Sequence, residues 1–146
     1  MYRFVFLLLL SFNACTMSAQ LDQHQWKNRL LLVFAPYDDE ALVEEQLEDF
    51  AADKTGLVER DLLVYQIYID SGETPDGKAL SAQTIIDLRQ QFQVRNGELV
   101  VVLIGKDGGE KLRRTNEILT REVLYNTIDA MPMRRNEMRR RGKKPN

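Results

Sequence analysis

The stretch VVVLIGKDGGEKLR, residues 100–113, joins an apolar run to a polar one through a glycine-rich turn. Asp107-Gly108 lies between two extended patterns, which is typical of a β-hairpin because such a turn needs positive φ angles. A phosphate-binding loop would need GxxxxGK, then Ser or Thr, then a helix. Here Lys106 is followed by Asp107 and a strand pattern. The stretch therefore predicts a strand, a hairpin turn and a polar strand near an edge, with a functional Lys106 as the open alternative.

Two further strands are expected upstream of the hairpin. Residues 30–35 form a continuous apolar run ended by Pro36, which is typical of a buried central strand. Residues 61–70, DLLVYQIYID, are rich in β-branched and aromatic side chains and predict a second strand.

Three helices are predicted by apolar residues at helical spacing. The first begins at the acidic residues 38–40, which suit a helix N-terminus, and ends at Gly56. Ser81 caps the second, and the third ends before Pro132 because the residue preceding proline disfavours the α region. The apolar faces are formed by Val43, Leu47, Phe50 and Ala51, by Ile85, Leu88 and Phe92, and by Leu119, Val123 and Ile128.

The order is strand-helix-strand-helix-strand-strand-helix. The first two strands are joined through a helix and should be parallel with a right-handed crossover. The last two are joined by a tight turn and should be antiparallel. This order predicts an α/β protein with a mixed four-stranded sheet flanked by helices, the thioredoxin-like arrangement. With 146 residues in the chain, we expect a single domain over residues 20–133.

The N-terminus has the pattern of a secretory signal. Arg3 precedes the apolar residues 4–10, and small residues follow. The apolar run is too short to span a bilayer. Cleavage after Ala19 makes residues 1–19 the signal peptide; alternatively, residues 1–14 are the signal of a lipoprotein and Cys15 is lipidated. We expect an exported protein, periplasmic or secreted, and lipid-anchored in the second case.

Residue usage argues against several kinds of site. Cys15 is the only cysteine and His24 the only histidine. The folded domain therefore has no thiol, no disulfide and no conventional zinc site. In thioredoxin-like proteins the reactive cysteine follows the first strand, where this chain has Pro-Tyr-Asp-Asp at residues 36–39. His24 is expected to be solvent-exposed, in a flexible lead over residues 20–25. We predict no catalytic, cofactor-binding or metal-binding residues.

Charge is distributed unevenly along the chain. Residues 134–146 form a basic tail with seven Lys or Arg and one acid, Glu137. Without the tail and Arg3 the chain has 12 basic and 21 acidic residues, about −9. The tail could contact anionic lipid or an acidic partner, or only be solvated. It lacks aromatic residues for base stacking, so nucleic acid is not expected.

Pro132 suits the first position of a new turn, which would separate the third helix from the basic tail and leave Arg134 and Arg135 close to the body. We expect Arg134 or Arg135 to pair with a body carboxylate, Asp129 or Asp70. Residues 139–144 are expected to remain mobile.

Four stretches carry a resemblance to a known family: HQWKNRLLLVFAP, VERDLLVYQIYID, VVVLIGKDGGEKLR and LYNTIDAMPMRRNEM. Over residues 21–138 the chain resembles a domain of unknown function found in exported bacterial proteins. A similar domain ends the sushi-repeat-containing extracellular proteins of animals and occurs in a coiled-coil-domain-containing secreted protein. The resemblance implies a thioredoxin-like fold with a suggested relation to peroxiredoxins and no established activity.

The resemblance also implies a set of recurrent polar positions without a catalytic role, namely Arg29, Arg60, Asp61, Arg89, Lys106, Asp107, Lys111, Asp129, Arg134 and Arg135. The candidate functional cluster among these is Arg89, Lys106, Asp107, Asp129, Arg134 and Arg135. The sequence favours a module without redox cysteines that binds a protein or an envelope surface. Membrane contact would come through a lipidated Cys15 or the basic tail. The alternative is an oxidoreductase- or peroxiredoxin-like enzyme that uses the polar cluster instead of a thiol.

Overall fold

The computed structural model describes residues 19–36 and 40–142, without the side chain of Glu40. Residues 1–18, with the expected signal and Cys15, lie outside the described residues, as do the expected capping acids at 38 and 39 and the last four residues. The elements in chain order are α1 (Ala19–Asp22), β1 (Arg29–Phe34), α2 (Glu40–Ala51), α3 (Lys54–Glu59), β2 (Leu62–Ile67), β3 (Gly72–Glu73), α4 (Ala82–Gln91), β4 (Val100–Ile104), β5 (Glu110–Thr115), α5 (Arg121–Asp129) and α6 (Pro132–Gly142).

The strands form one mixed sheet in the order β3-β2-β1-β4-β5. β1 and β2 are parallel, whereas β1–β4, β4–β5 and β2–β3 are antiparallel. The predicted α/β arrangement and the edge position of β5 are confirmed. The predicted count of four strands is wrong, because Gly72 and Glu73 also pair with Gln66 and Ile67. A two-residue strand is too short to leave a periodic signal in the sequence.

Apolar side chains cover both faces of the sheet. Leu30, Leu32 and Phe34 of β1 face a core completed by α1 and α4, and the alternate residues Leu31 and Val33 face a core completed by α2 and α5. All residues of β1 and β4 are buried. Strand positions covered on both sides favour apolar residues, which explains the continuous apolar runs at residues 30–34 and 100–104; Arg29, the buried first residue of β1, is the exception.

The predicted hairpin between β4 and β5 is confirmed. The Gly105 amide donates to the Gly109 carbonyl at 2.9 Å, and the Gly108 amide donates to the Gly105 carbonyl at 3.0 Å. Gly108 has φ +82°, in the left-handed region that favours glycine. Lys106 is not an ordinary turn lysine, however, because only 9% of its side chain is exposed.

The first predicted helix is divided into two. α2 ends at Ala51, which is exposed rather than buried as predicted, and the side chain of Asp53 accepts from the Gly56 amide at 2.9 Å to cap α3. Gly56 therefore lies inside α3 and does not end a helix. A side chain at residue 56 would overlap the Asp53 carboxylate and come within 2.7 Å of the Tyr125 hydroxyl. Close approach is the reason for this glycine.

The other helix ends largely follow the sequence. The Ser81 hydroxyl caps α4, α5 ends at Asp129, and Pro132 is the first residue of α6. Val123, predicted to be buried, is 41% exposed because α5 turns this side to solvent.

The two ends of the domain are more ordered than the sequence suggested. Leu21 is fully buried and His24 is hydrogen-bonded to Tyr65, so residues 20–25 are not a flexible lead. Residues 139–142 are helical, and Arg141 is hydrogen-bonded to the body, which corrects the expected mobile tail over this part. No helix among the described residues is long and apolar enough to cross a membrane.

Candidate functional site

One end of the sheet carries a set of ionised side chains brought together by the strand directions. Arg29 begins β1 and Asp61 precedes β2, while Lys106 lies just past the end of β4. Because β4 runs antiparallel to β1, these three positions meet at the same end. α6 packs against this end of the sheet through ion pairs of Glu137 and Arg134. We call this set the basal network; its members are Arg29, Arg60, Asp61, Lys106, Asp129, Arg134, Glu137 and Arg141.

Glu137 of α6 is the centre of the network. Arg29 donates to both of its carboxylate oxygens, each at 3.2 Å, and Lys106 Nζ lies 2.8 Å from Oε1. Lys106 Nζ also donates to Asp61 Oδ2 at 2.8 Å. Arg29 is 1% exposed, so its charge depends on these partners and on the Arg60 carbonyl, 2.8 Å away. The one acid of the basic tail is thus partly buried against two body cations.

A second carboxylate, Asp129 at the end of α5, continues the network. It accepts from Arg60 Nη2 at 2.6 Å and from Arg134 Nε at 3.0 Å. Arg134 and Arg141 also donate to the Glu59 carbonyl, at 2.6 and 2.8 Å. The predicted pairing of Arg134 with Asp129 is confirmed. Asp70, the other predicted partner, is exposed and accepts from Ser71.

The network lowers the pKa of both central carboxyls, Asp129 and Glu137. Burial raises the pKa of Asp129, but hydrogen bonds from Arg60 and Arg134 outweigh it, and the pKa lies below its usual value. Burial likewise opposes the hydrogen bonds from Lys106 and Arg29 to Glu137, and the pKa of Glu137 is again lowered overall. Both groups are therefore held as carboxylates at neutral pH.

Arg60 connects the network to the contact between α3 and α5. Its guanidinium carbon lies 3.8 Å from the centre of the Tyr125 ring. Burial and the nearby Asp53 carboxylate raise the pKa of Tyr125 to about 12. Tyr125 is therefore a neutral phenol that packs under a guanidinium.

The structure brings together only part of the predicted polar cluster. Lys106, Asp129 and Arg134 join the network. Arg89 is buried on α4 and donates to the Arg95 carbonyl, Asp107 pairs with Lys111 in the turn at 2.7 Å, and Arg135 is exposed on α6. The polar positions implied by the resemblance at Arg29, Arg60 and Asp61 do join the network. Glu137 and Arg141 were missed, although a single acid within a basic segment was a signal for Glu137.

The network is a set of ion pairs between the strand ends, α3, α5 and α6. Four surface clefts of ≈ 730, 440, 580 and 570 Å³ lie elsewhere, and none of them is lined by a network residue. The cleft of ≈ 570 Å³ lies at the opposite end of the sheet, beyond the end of β1, and is lined by Pro36, Val43, Tyr68 and Asp70 among others. Within residues 19–36 and 40–142 no cluster of three His, Cys, Asp or Glu side chains could hold a metal ion.

α6 presents two different faces. Arg134, Glu137 and Arg141 bind the body at i, i+3 and i+7, while Arg135, Arg139 and Arg140 are exposed. No carboxylate in the described part of the chain pairs with these three arginines; Arg139 donates to the Asn136 amide oxygen at 2.6 Å. Met133 and Met138, at 39% and 38% exposure, flank them. We call this surface the α6 outer face; it consists of Met133, Arg135, Met138, Arg139 and Arg140.

Comparison with known proteins agrees with the fold. Residues 20–137 match the family described as "Domain of unknown function (DUF4174)". Coiled-coil domain-containing protein 80 of Danio rerio is 29% identical over an alignment of 133 residues, and the match covers 81% of this chain and 15% of that protein.

Solved structures similar to this chain include the reduced 2-Cys peroxiredoxin of Plasmodium vivax, with a TM-score of 0.59 and 17% identity over 80% of this chain and 84% of that chain. Thioredoxin peroxidase I of Plasmodium yoelii has a TM-score of 0.59 and 16% identity over 80% and 79% of the two chains. These likenesses confirm the thioredoxin-like fold.

Proposed function

Because the chain belongs to the DUF4174 family of domains of unknown function and has a thioredoxin-like fold with its only cysteine at residue 15, we propose that it is a non-catalytic binding module of the cell envelope. Its binding surface is the α6 outer face, and its partner is a negatively charged protein or envelope surface. The export signal expected at residues 1–19, or the lipoprotein signal ending before Cys15, supports the location.

The observation that carries the proposal is the division of α6 into two faces. A tail needed only for solubility gains nothing from being fixed to the body. Here Arg134 and Glu137 fix the helix through partly buried ion pairs, and the exposed Arg135 and Arg139 are thereby held one turn apart. Cations that are already ordered lose less conformational entropy when they bind a partner.

Charge complementarity supports a negatively charged partner. Residues 4–133 carry about −9, so the α6 outer face is a basic surface on an acidic protein. Arginine guanidinium groups bind carboxylates and phosphates through paired hydrogen bonds, whereas lysine acts as a point charge. The attraction should be strong within a Debye length, about 8–10 Å at physiological ionic strength.

Enzymatic alternatives lack a supporting observation. Peroxide reduction of the peroxiredoxin kind needs a thiolate, and Cys15 precedes the matched residues 20–137. A thiol-free enzyme based on the polar cluster would need Arg89 beside Lys106 and Arg134, but Arg89 lies on α4 and donates to Arg95. The carboxylates of the basal network are already paired with cations.

Binding to anionic probes tests the proposal. The probes are vesicles containing phosphatidylglycerol and, separately, soluble poly-glutamate, each titrated at two salt concentrations. We expect salt-sensitive binding of the unmodified chain to one of them. The variant Arg135→Glu/Arg139→Glu should weaken it by about tenfold or more.

The matched control is Lys54→Glu/Arg95→Glu, which changes the net charge equally but affects exposed residues far along the chain from α6. The control should retain most of the binding. The proposal fails if the unmodified chain binds neither probe, or if the two double variants weaken binding equally.

A further inference from the structure

The only histidine of the chain is hydrogen-bonded to a buried tyrosine. His24 Nε2 lies 2.7 Å from the Tyr65 hydroxyl, with the two rings edge-on at 5.8 Å. Tyr65 is 1% exposed and belongs to the core beside β1. Burial raises the pKa of the Tyr65 phenol, against the effect of hydrogen bonds with Gln20 and Gln23. Polar side chains thus surround a phenol at the margin of the apolar core.

These groups form one wall of a surface pocket of ≈ 440 Å³, which we call the Tyr65 pocket. The volume is within the range of small-molecule sites, about 300–1,000 Å³. The opposite wall is the turn after β3, with Thr74, Pro75, Asp76 and Lys78.

The charged groups of the Tyr65 pocket neutralise each other. Asp76 Oδ2 and Lys78 Nζ are 2.7 Å apart. Hydrogen bonds from Lys78 and Thr74 lower the pKa of Asp76 to about 2, so the carboxylate and the ammonium group coexist at neutral pH. The pocket therefore has no net charge with which to select an ion.

We infer that the Tyr65 pocket binds a small, neutral, hydroxyl-rich molecule of the sugar or polyol class. The inference is independent of the α6 outer face and of the binding function proposed for it.

The hydrogen-bonding groups of the pocket suit hydroxyls in particular. Two of these groups are partly engaged: Gln23 Nε2 donates to the Gln20 carbonyl at 2.9 Å, and the Thr74 hydroxyl donates to Asp76 and accepts from the Lys78 amide at 3.0 Å. A side-chain amide has two donor hydrogens and an acceptor oxygen, and a hydroxyl oxygen has two lone pairs, so the Gln23 amide and the Thr74 hydroxyl keep capacity for a ligand.

No described residue is hydrogen-bonded to the second ring nitrogen of His24, Nδ1. That nitrogen is a donor if Tyr65 donates to Nε2 and an acceptor if Nε2 donates to Tyr65. A ligand hydroxyl satisfies either arrangement, since it both donates and accepts.

The competing explanation is purely structural: the His24–Tyr65 hydrogen bond attaches the N-terminal segment to the core and nothing enters the pocket. Ligand titration separates the two explanations. His24 gives the only imidazole signals in an NMR spectrum of the full chain, so its ring resonances report on the pocket without assignment ambiguity.

The test titrates D-glucose, N-acetylglucosamine and glycerol, with acetate and tetramethylammonium as charged probes. We expect a saturable shift of the His24 ring signals with at least one neutral probe, at concentrations on the order of millimolar, and no saturable shift with the charged ones. Gln23→Ala should weaken that binding by about tenfold, the loss of one hydrogen bond. Gln23 is exposed and its removal leaves the core intact.

The control variant is Gln83→Ala, which removes an exposed glutamine that donates to Asp87 on α4. It should leave the titration unchanged. The inference is overturned if no neutral probe gives a saturable shift, if the charged probes shift His24 as strongly, or if Gln23→Ala behaves like Gln83→Ala.

Discussion

Arg29 and Glu137 are 108 positions apart in the chain and form a bidentate ion pair at one end of the sheet. Arg29 is almost completely buried, and Glu137 is the single acid of the basic C-terminal segment. The pair fixes a helix whose other face carries exposed arginines. The structural use of one face and the proposed binding use of the other can therefore be separated by mutation.

Removing the central carboxylate should destabilise the domain strongly. Glu137→Ala leaves Arg29 and Lys106 buried without their shared partner. Because Glu137 is itself 20% exposed, we expect a loss of about 2–4 kcal/mol, less than for a fully buried pair. Urea denaturation measures it. Glu117→Ala, which removes a mostly exposed carboxylate 3.8 Å from Arg114, is the control and should change little.

Adjacent arginines on α6 should behave differently. Arg134→Ala removes hydrogen bonds to Asp129 and to the Glu59 carbonyl, and should lower the free energy of unfolding by about 1–3 kcal/mol. Arg135→Ala removes an exposed side chain and should have almost no effect on stability. Denaturant midpoints of the two variants measure the difference. Equal losses of unfolding free energy would contradict the description of α6 as a helix with one bound and one exposed face.

Stability should decline in acid because of Asp129 and Glu137. Both carboxyls have a lower pKa in the folded state than in the unfolded chain, so the unfolded state binds protons first as the pH falls. Their contribution to the free energy of unfolding is complete above the usual pKa range of carboxyls, about pH 4–5. It is lost as the pH falls through the lowered pKa values of the folded state. The urea midpoint of the unmodified chain should fall between neutral and acidic pH, and that of Glu137→Gln should fall less. A parallel decrease in both proteins would show that Glu137 does not contribute.

Gly56 should not tolerate a side chain. In Gly56→Ala the new methyl group would overlap the Asp53 carboxylate and approach the Tyr125 hydroxyl to 2.7 Å. The cap of α3 would have to move, with an expected loss of about 1–3 kcal/mol. Gly142→Ala, where no atom lies within 4 Å, is the matched control and should be neutral or slightly stabilising. Thermal melting of the two variants distinguishes steric overlap from helix propensity; a neutral Gly56→Ala would contradict the close contact.

The chain should not consume hydroperoxide or reduce disulfides. Both reactions cycle a thiol, and Cys15 is the only one. The measurement is peroxide loss with dithiothreitol as reductant, for the purified chain and for Cys15→Ser. We expect both proteins to match the rate of dithiothreitol alone. Thiol-dependent turnover that persists in Cys15→Ser would contradict the assignment of a non-catalytic module.

The site was only partly predictable, for a reason that Lys106 illustrates. Its sequence neighbours predict a turn, and it does lie in one, but its burial comes from Asp61 and Glu137, which are 45 and 31 positions away. Arg89 shows the opposite case: it was grouped with Lys106 by residue type, and α4 places it elsewhere. Which residues form ion pairs depends on which strand and helix ends meet in the fold. Residue type alone does not show which ends meet.

Local physics determined much of the fold from the sequence alone. Runs such as Leu30–Ala35 predicted buried strands, Asp107-Gly108 predicted the hairpin, and Pro132 predicted a break after the third helix, because each depends on backbone preferences or on hydrophobic burial over a few residues. Only the tertiary structure decided that residues 20–25 are anchored by His24, that Gly56 lies against the Tyr125 hydroxyl, and that the basic segment is a helix attached through Glu137. These features result from contacts between residues that are distant in sequence, and their free energy exists only once the sheet has brought the partners together.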